Sequence, residues 1–197
     1  MAIRKSERTR QRIVESANRL FYRQGFHNTS FTDVVAASGV PRGNIYYYFK
    51  TKDEILLAAI DHRLERIRIM LDGWSGTYRT PLERLHRFIA LLDDTAEALT
   101  EFGCPMGSLN AELGKANRDM QQQAAQLFVL FEDWLTDQFA ELGYAGRARE
   151  LALRLIAVGQ GISMLTHVHH DAEWLRKEQK RLRRWLDQLA EGDESCL

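Results

Sequence analysis

Apolar residues recur at helical spacing along almost all of this chain, and only Pro41, Pro81 and Pro105 interrupt the pattern. An interior proline removes a backbone hydrogen bond and clashes with the preceding turn, so a chain with so few of them can sustain long helices. Ile13, Ala17, Leu20 and Phe21 form one stripe, ended at Gly25. Ser30 and Asp33 have capping-box spacing and open a short helix that stops at Gly39; a second short segment runs from Arg42 to Phe49. Thr51 and Glu54 repeat the capping spacing, and Ile55, Leu56, Ala59, Ile60, Ile67 and Leu71 carry a longer helix toward Gly73. Gly73 to Thr80 reads as a linker. Thr80, Pro81 and Glu83 then supply an N-cap, a proline at the first helical position and a capping carboxylate. Leu82, Leu85, Ile89, Leu92, Ala96 and Leu99 share one face behind them.

Gly103-Cys104-Pro105 breaks that helix. Further helices are expected from Met106 to Gly114, from Asp119 to Leu142 and through Leu151, Leu155, Val158, Ile162 and Leu165. A last one, capped by Asp171, carries Leu175, Leu182, Leu186 and Leu189. No strand alternation and no internal repeat occurs. The expected fold class is all-α, with about nine helices, three of them N-terminal.

Charge is uneven although the net charge is zero. Residues 1–52 hold ten Lys and Arg against three Asp and Glu, a balance of +7. A basic end on a neutral chain suits a polyanion partner for that end alone, although such a run also makes an ordinary solvated face. No apolar run approaches the roughly 18 residues of a membrane span, and no apolar stretch follows the basic N-terminus, so neither a membrane partner nor a secretory signal is expected. The two cysteines, Cys104 and Cys196, do not make a disulfide framework. A cytoplasmic protein is the simplest reading.

Two short helices joined through Ser38-Gly39-Val40 fit a helix-turn-helix. Glycine tolerates the positive φ of a sharp turn, Ala36 is small enough to let two helices approach, and Pro41 can open the second helix. Arg42, Gly43 and Asn44 then project from the end that enters the major groove in such motifs, where arginine can pair with guanine and asparagine with adenine. Tyr46, Tyr47 and Tyr48 follow in a row, and three consecutive aromatics cannot all face one way on a helix. An exposed tyrosine offers a ring to a thymine methyl and a hydroxyl to a phosphate, though tyrosine-rich edges also serve protein partners.

Residues 9–60 resemble the DNA-binding domain of the TetR/AcrR family of regulators. The resemblance runs through Ile13, Ala17, Leu20, Phe21, Gly25, Thr32, Val35, Ala36, Gly39, Val40, Gly43, Ile45, Tyr46, Tyr48, Phe49, Lys52, Glu54 and Leu56. The run from Gly43 to Lys52 is close to the family's signature. It implies a helix-turn-helix DNA-binding domain over 1–52 and a six-helix ligand-binding and dimerisation domain over 53–197. It further implies a homodimer on a double-stranded, palindromic operator, a repressor released by a small-molecule or electrophile effector, and no cofactor. Thr32 would meet phosphate, Arg42, Gly43, Asn44 and Tyr46 would face bases, and Tyr47, Tyr48 and Lys52 would hold the backbone. Pro41 departs from the small polar residue often found there, which removes a hydroxyl contact, and Tyr48 stands where histidine is frequent.

The resemblance also implies an effector pocket in the helical remainder. Its candidate lining is Trp74, Phe88, Leu92, Phe102, Met106, Leu109, Phe128, Phe131, Trp134 and Met164; taken singly each reads as ordinary core, and only the excess of aromatic and methionine side chains points to an apolar ligand. Cys104 precedes an expected helix N-terminus, where the dipole lowers a thiol pKa. The segment around it resembles a Gly-Cys-Pro/Leu element of some family members, and one related branch, the NemR-like repressors, senses reactive compounds through a cysteine near this point. A small buried residue in a tight corner is the plainer account. His167, His169 and His170 cluster without the partners of a metal site. Gly159 and Gly161, with Leu182, Trp185, Leu186 and Leu189, mark the last two helices as the dimer face. No P-loop, G-x-S-x-G, H-E-x-x-H or dinucleotide fingerprint is present, which argues against an enzyme. A constitutive or partner-regulated DNA-binding protein with a filled core is the alternative.

Overall fold

The computed structural model describes residues 5–193; Cys196 lies outside them. Among the described residues the chain forms ten α-helices and no strand: α1 (Lys5–Gln24), α2 (Phe31–Ser38), α3 (Arg42–Tyr48), α4 (Lys52–Thr77), α5 (Pro81–Asp94), α6 (Ala96–Phe102), α7 (Pro105–Gly114), α8 (Arg118–Phe139), α9 (Ala148–His169) and α10 (Ala172–Ala190). A short π-helical segment, Ala140–Tyr144, follows α8 and kinks at Gly143, where φ is 110°.

The caps form largely as the spacing predicts. Ser30 with Asp33 and Thr80 with Glu83 are reciprocal capping boxes, Pro81 opens α5, and Asp171 accepts the Trp174 N–H at 2.9 Å. At α4 only half of the box closes: Thr51 Oγ1 accepts from the Glu54 N–H, while the Glu54 carboxylate takes the Lys50 N–H at 2.7 Å. Two boundaries differ from the sequence reading. The helix through Gly73 continues to Thr77, since neither Gly73 nor Gly76 departs from helical backbone. The stripe from Leu82 to Leu99 is two helices rather than one, because the chain bends at Thr95, whose hydroxyl turns back onto the Leu91 carbonyl.

The described residues fall into two compact units. The first holds the chain up to Arg66 together with Pro105–Leu127. Its core joins Ile13, Val14, Ala17 and Phe21 of α1 to Val34, Val40, Ile45 and Phe49, then to Ile55, Leu56 and Ile60 of α4. Leu109 and Leu113 of α7 and Met120 of α8 complete that core, so a segment distant in sequence is built into the N-terminal head. The second unit holds Ile67–Cys104 and the residues from Phe128 onward, around Leu85, Ile89, Leu99, Leu135, Phe139, Leu151, Leu155, Leu175 and Leu186.

α9 corrects one expectation. Its mean hydropathy over an 18-residue window is 1.4, long and apolar enough by length and composition to cross a membrane, a test that the core helix of a water-soluble protein also meets. Leu151, Ala152, Leu155 and Ile162 pack inward, whereas Leu153, Val158, Met164, Leu165 and Val168 are exposed. Leu182, Leu186 and Leu189 of α10, read from sequence as dimer face, are instead buried in their own unit's core. The exposed apolar stripe therefore belongs to α9.

Within the second unit His86 Nε2 lies 2.9 Å from Asp187 Oδ1. Burial holds the imidazole below its ordinary pKa of 6.5, against the opposing pull of Asp187. The unfolded chain takes up that proton as pH falls through 6.5 and the folded chain resists it, so the stability is present above this pH and is lost on acidification. Between about pH 7.5 and about pH 5.5 the thermal midpoint of the wild type should fall more steeply than that of His86→Gln. Parallel curves would assign the acid sensitivity to other groups.

Candidate nucleic-acid interface

Each functional side chain of the head is placed by the backbone beneath it. α2 begins at the Ser30 cap and ends at Gly39, whose φ of 61° gives the left-handed turn. The buried Ser38 hydroxyl donates to the Val35 carbonyl at 3.1 Å and accepts the Val40 N–H at 3.3 Å, closing the same turn. Ala36 is exposed, so α2 and α3 are held together by Val34, Val40 and Ile45 rather than by a small residue between them. α3 buries Ile45 alone, which leaves the rest of its surface outward.

Arg42, Gly43 and Asn44 are exposed at the start of α3, and Thr32 is exposed in the first turn of α2. Tyr46 is 39% and Tyr47 78% exposed, while Tyr48 is half-buried with its hydroxyl 3.3 Å from Ser6 Oγ. The three tyrosines thus occupy three environments: Tyr46 lies against Phe31, Tyr47 points to solvent, and Tyr48 packs on the core and reaches α1. Lys5, Ser6 and Thr9 of α1 face Gly43, Asn44, Tyr47 and Tyr48 of α3 across an open groove of about 510 Å³. Among the described residues no carboxylate lines it; an ammonium, hydroxyls and an amide do, the chemistry of a phosphodiester cradle. The sequence reading missed Lys5, Ser6 and Thr9 because nothing in their spacing relates them to a helix some 40 residues later.

Lys52 is engaged inside the head. Its ammonium donates to the Phe26 carbonyl at 2.7 Å and to the Thr29 carbonyl at 2.8 Å, and lies 4.1 Å from the centre of the Phe26 ring. The opposite side of the same turn is held by Glu112 of α7, whose carboxylate accepts the Phe26 N–H at 2.9 Å and the His27 N–H at 2.6 Å. Gly25 sits under that carboxylate with φ of 85°, and a Cβ there would lie 3.2 Å from both oxygens. At the other end of α7, Arg63 donates to the Pro105 carbonyl at 3.0 Å and also to the Asn18 side chain. A cation and an anion from separate helices therefore fix the turn from which α2 departs.

In the second unit the candidate effector residues separate. Trp74 and Trp134 meet edge to face at 5.7 Å, Phe88 and Phe131 at 5.5 Å, and Arg87 covers Trp74 at 4.8 Å. Leu92 and Cys104 are partly buried against this unit's core, and Phe102 and Phe128 are partly buried in the same unit. Met106 and Leu109 belong to the first unit, where Leu109 is core. Met164 is 67% exposed on the outward stripe of α9, because its helical position opposes Ile162 and Thr166, so it lines no interior of its own chain. Nδ1 of both His167 and His170 lies on the Thr100 carbonyl, at 3.1 and 3.2 Å, which makes the two rings donors to a helix end.

A three-helix head in which a left-handed glycine turn joins α2 to a nearly uncovered α3 has the form of a helix-turn-helix DNA-binding domain. Residues 13–59 match bacterial regulatory proteins of the tetR family, and residues 81–181 match the C-terminal domain of LmrA/YxaF-like transcriptional regulators. An uncharacterised HTH-type transcriptional regulator of Mycobacterium tuberculosis is 32% identical over 196 residues, covering 94% of this chain and 96% of its own. The regulator LmrA of Bacillus subtilis is 24% identical, over 80% of this chain and 86% of its own. A TetR transcriptional regulator from Chloroflexus aurantiacus superposes with a TM-score of 0.81 at 26% identity, covering 94% of this chain and 98% of its own. The chain belongs to the TetR family of transcriptional regulators. Likeness to reduced NemR of E. coli, at 17% identity and a TM-score of 0.77 over 89% of this chain and 96% of that one, is one of fold alone.

Proposed function

We propose that the chain is a homodimeric, cytoplasmic repressor that binds a palindromic operator and leaves it when a small-molecule or electrophile effector binds the second unit. The observation that carries the reading is the cluster of uncovered Arg42, Gly43, Asn44, Tyr46 and Tyr47 on one short helix, beside the Lys5, Ser6 and Thr9 groove. Arg42, Asn44 and Tyr46 read base edges; Thr32, Tyr47 and Tyr48 position the backbone. All of these side chains precede residue 53, which supports the functional division there. The aromatic pairs Trp74–Trp134 and Phe88–Phe131 supply an apolar wall suited to a hydrophobic effector, and Cys104 lies against the same core.

The test is binding to duplexes selected from a randomised pool, measured across a salt series. Palindromic sites should be enriched, and affinity should fall steeply with salt as phosphate contacts release counterions. Arg42→Ala should relax base preference by about 1–3 kcal/mol. Lys52→Ala should weaken every sequence alike and lower the thermal midpoint, because its ammonium also closes the Phe26–Thr29 turn. No preference among duplexes would exclude operator recognition. With an operator in hand, hydrophobic compounds and electrophiles are titrated against release from wild type and Cys104→Ser. Release by an electrophile from the wild type alone assigns the trigger to Cys104; release from both assigns it to a noncovalent site.

A further inference from the structure

Phe31 is the first residue of α2, and no motif marks it. Its ring stacks on that of Tyr46 in α3, with centroids 4.9 Å apart and planes inclined by 21°. The Arg42 guanidinium lies over the same Tyr46 ring, 5.8 Å from its centre, with Nη2 3.5 Å from the tyrosine hydroxyl. The Lys50 ammonium meets the Tyr46 carbonyl, so side chain and backbone of this one residue are both engaged. The stack lies at the surface: Phe31 is half-buried and Tyr46 is 39% exposed. A residue serving only the core would bury its partner too.

We propose that Phe31 is a specificity-determining positioning residue for DNA recognition: by stacking on Tyr46 across the two helices it fixes the ring against which Arg42 is aligned for a base edge. The proposal rests on the reading of α3 as the recognition helix. An arginine is a long, flexible side chain, and ordering it on binding costs rotamer freedom that a pre-aligned side chain has already given up. Tyr46, exposed on a short helix, would swing about its own torsions without a ring beneath it. Phe31 carries no charge and therefore releases no counterion, so its contribution falls on discrimination among base pairs and not on attraction to phosphate. That division separates it from Lys5, whose ammonium lines the groove.

The experiment uses the full chain and the duplexes that the wild type selects from a randomised pool. For each protein, affinity for the selected site is compared with affinity for single-base-pair variants across a salt series, and circular dichroism reports the fold. Phe31→Ala should lose roughly tenfold of the discrimination at the base pairs where Arg42→Ala loses it. Its salt slope should match the wild type, and at the base pairs read by Arg42 it should add nothing in an Arg42→Ala background, as coupled neighbours do. Phe31→Leu keeps apolar bulk on the core without a stack and should behave like Phe31→Ala, whereas Phe31→Tyr should retain wild-type discrimination. Undiminished discrimination in both Phe31→Ala and Phe31→Leu overturns the proposal. So does an equal loss on every duplex, or additivity with Arg42→Ala at the base pairs that Arg42 reads. A wild type that selects no site overturns the recognition-helix reading itself, and the proposal with it.

Discussion

Glu112→Ala should lower both the thermal midpoint and the affinity for every DNA sequence, although Glu112 lies some 60 residues beyond the recognition helix. Its carboxylate accepts two backbone N–H groups of the turn between α1 and α2, and charge-assisted bonds of this kind are stronger than neutral ones. The Phe26 N–H is partly buried, so removing its acceptor leaves a donor poorly served by water. Discounted for the exposed His27 bond, the loss is about 2 kcal/mol, or about 4–8 °C for a chain of this size. The turn ends in the Ser30 cap, so loosening it loosens the start of α2 and the seat of α3. Affinity should fall about tenfold on operator and random duplex together. Gly25→Ala should produce a similar loss by the opposite route. An alanine at a φ of 85° is strained by about 1–2 kcal/mol, and its Cβ would press on both Glu112 oxygens. Differential scanning and binding isotherms check both variants. Wild-type values for Glu112→Ala would remove the clamp from the account of the head.

Leu165→Glu should convert a dimer into a folded monomer. Leu165 is 43% exposed and shares the outward face of α9 with Val158, Met164 and Val168. Ala157, Gly161, Met164 and Val168 recur at steps of four, three and four residues, the spacing of a helix-pairing seam. An exposed apolar stripe of this length calls for a partner, and a second copy would supply the second half of a palindromic contact. Losing the tether turns an intramolecular second contact into a bimolecular one, which weakens operator binding by about 10²–10⁴-fold. Helical content should be unchanged. Leu182→Glu should differ: Leu182 is 7% exposed within its own unit, so a charge there should unfold the chain rather than separate a pair of folded copies. Light scattering with circular dichroism distinguishes the two results. A dimer that persists in Leu165→Glu, with operator affinity retained, would move the interface elsewhere.

What the amino-acid order determined by itself is local. Capping boxes at Ser30 and Thr80, the left-handed turn at Gly39 and the proline starts depend on residues a few positions apart, so their spacing is readable directly. The exposure of α3 was legible for the same reason: a short segment with one buried residue leaves Arg42, Asn44 and Tyr47 outward. The rest depends on what distant segments bring to a shared surface. Periodicity shows that α7 has an apolar face, but not that Leu109 and Leu113 complete the head's core, nor that Glu112 takes the N–H groups of a turn 86 residues earlier. Composition shows that Lys52 is cationic; only the fold decides that two carbonyls claim its ammonium. The same reason separates Leu182 from Leu165, two leucines alike in sequence. Tertiary packing buries the first inside its own unit and leaves the second for another chain, because burial is a property of the assembled surface and not of the residue.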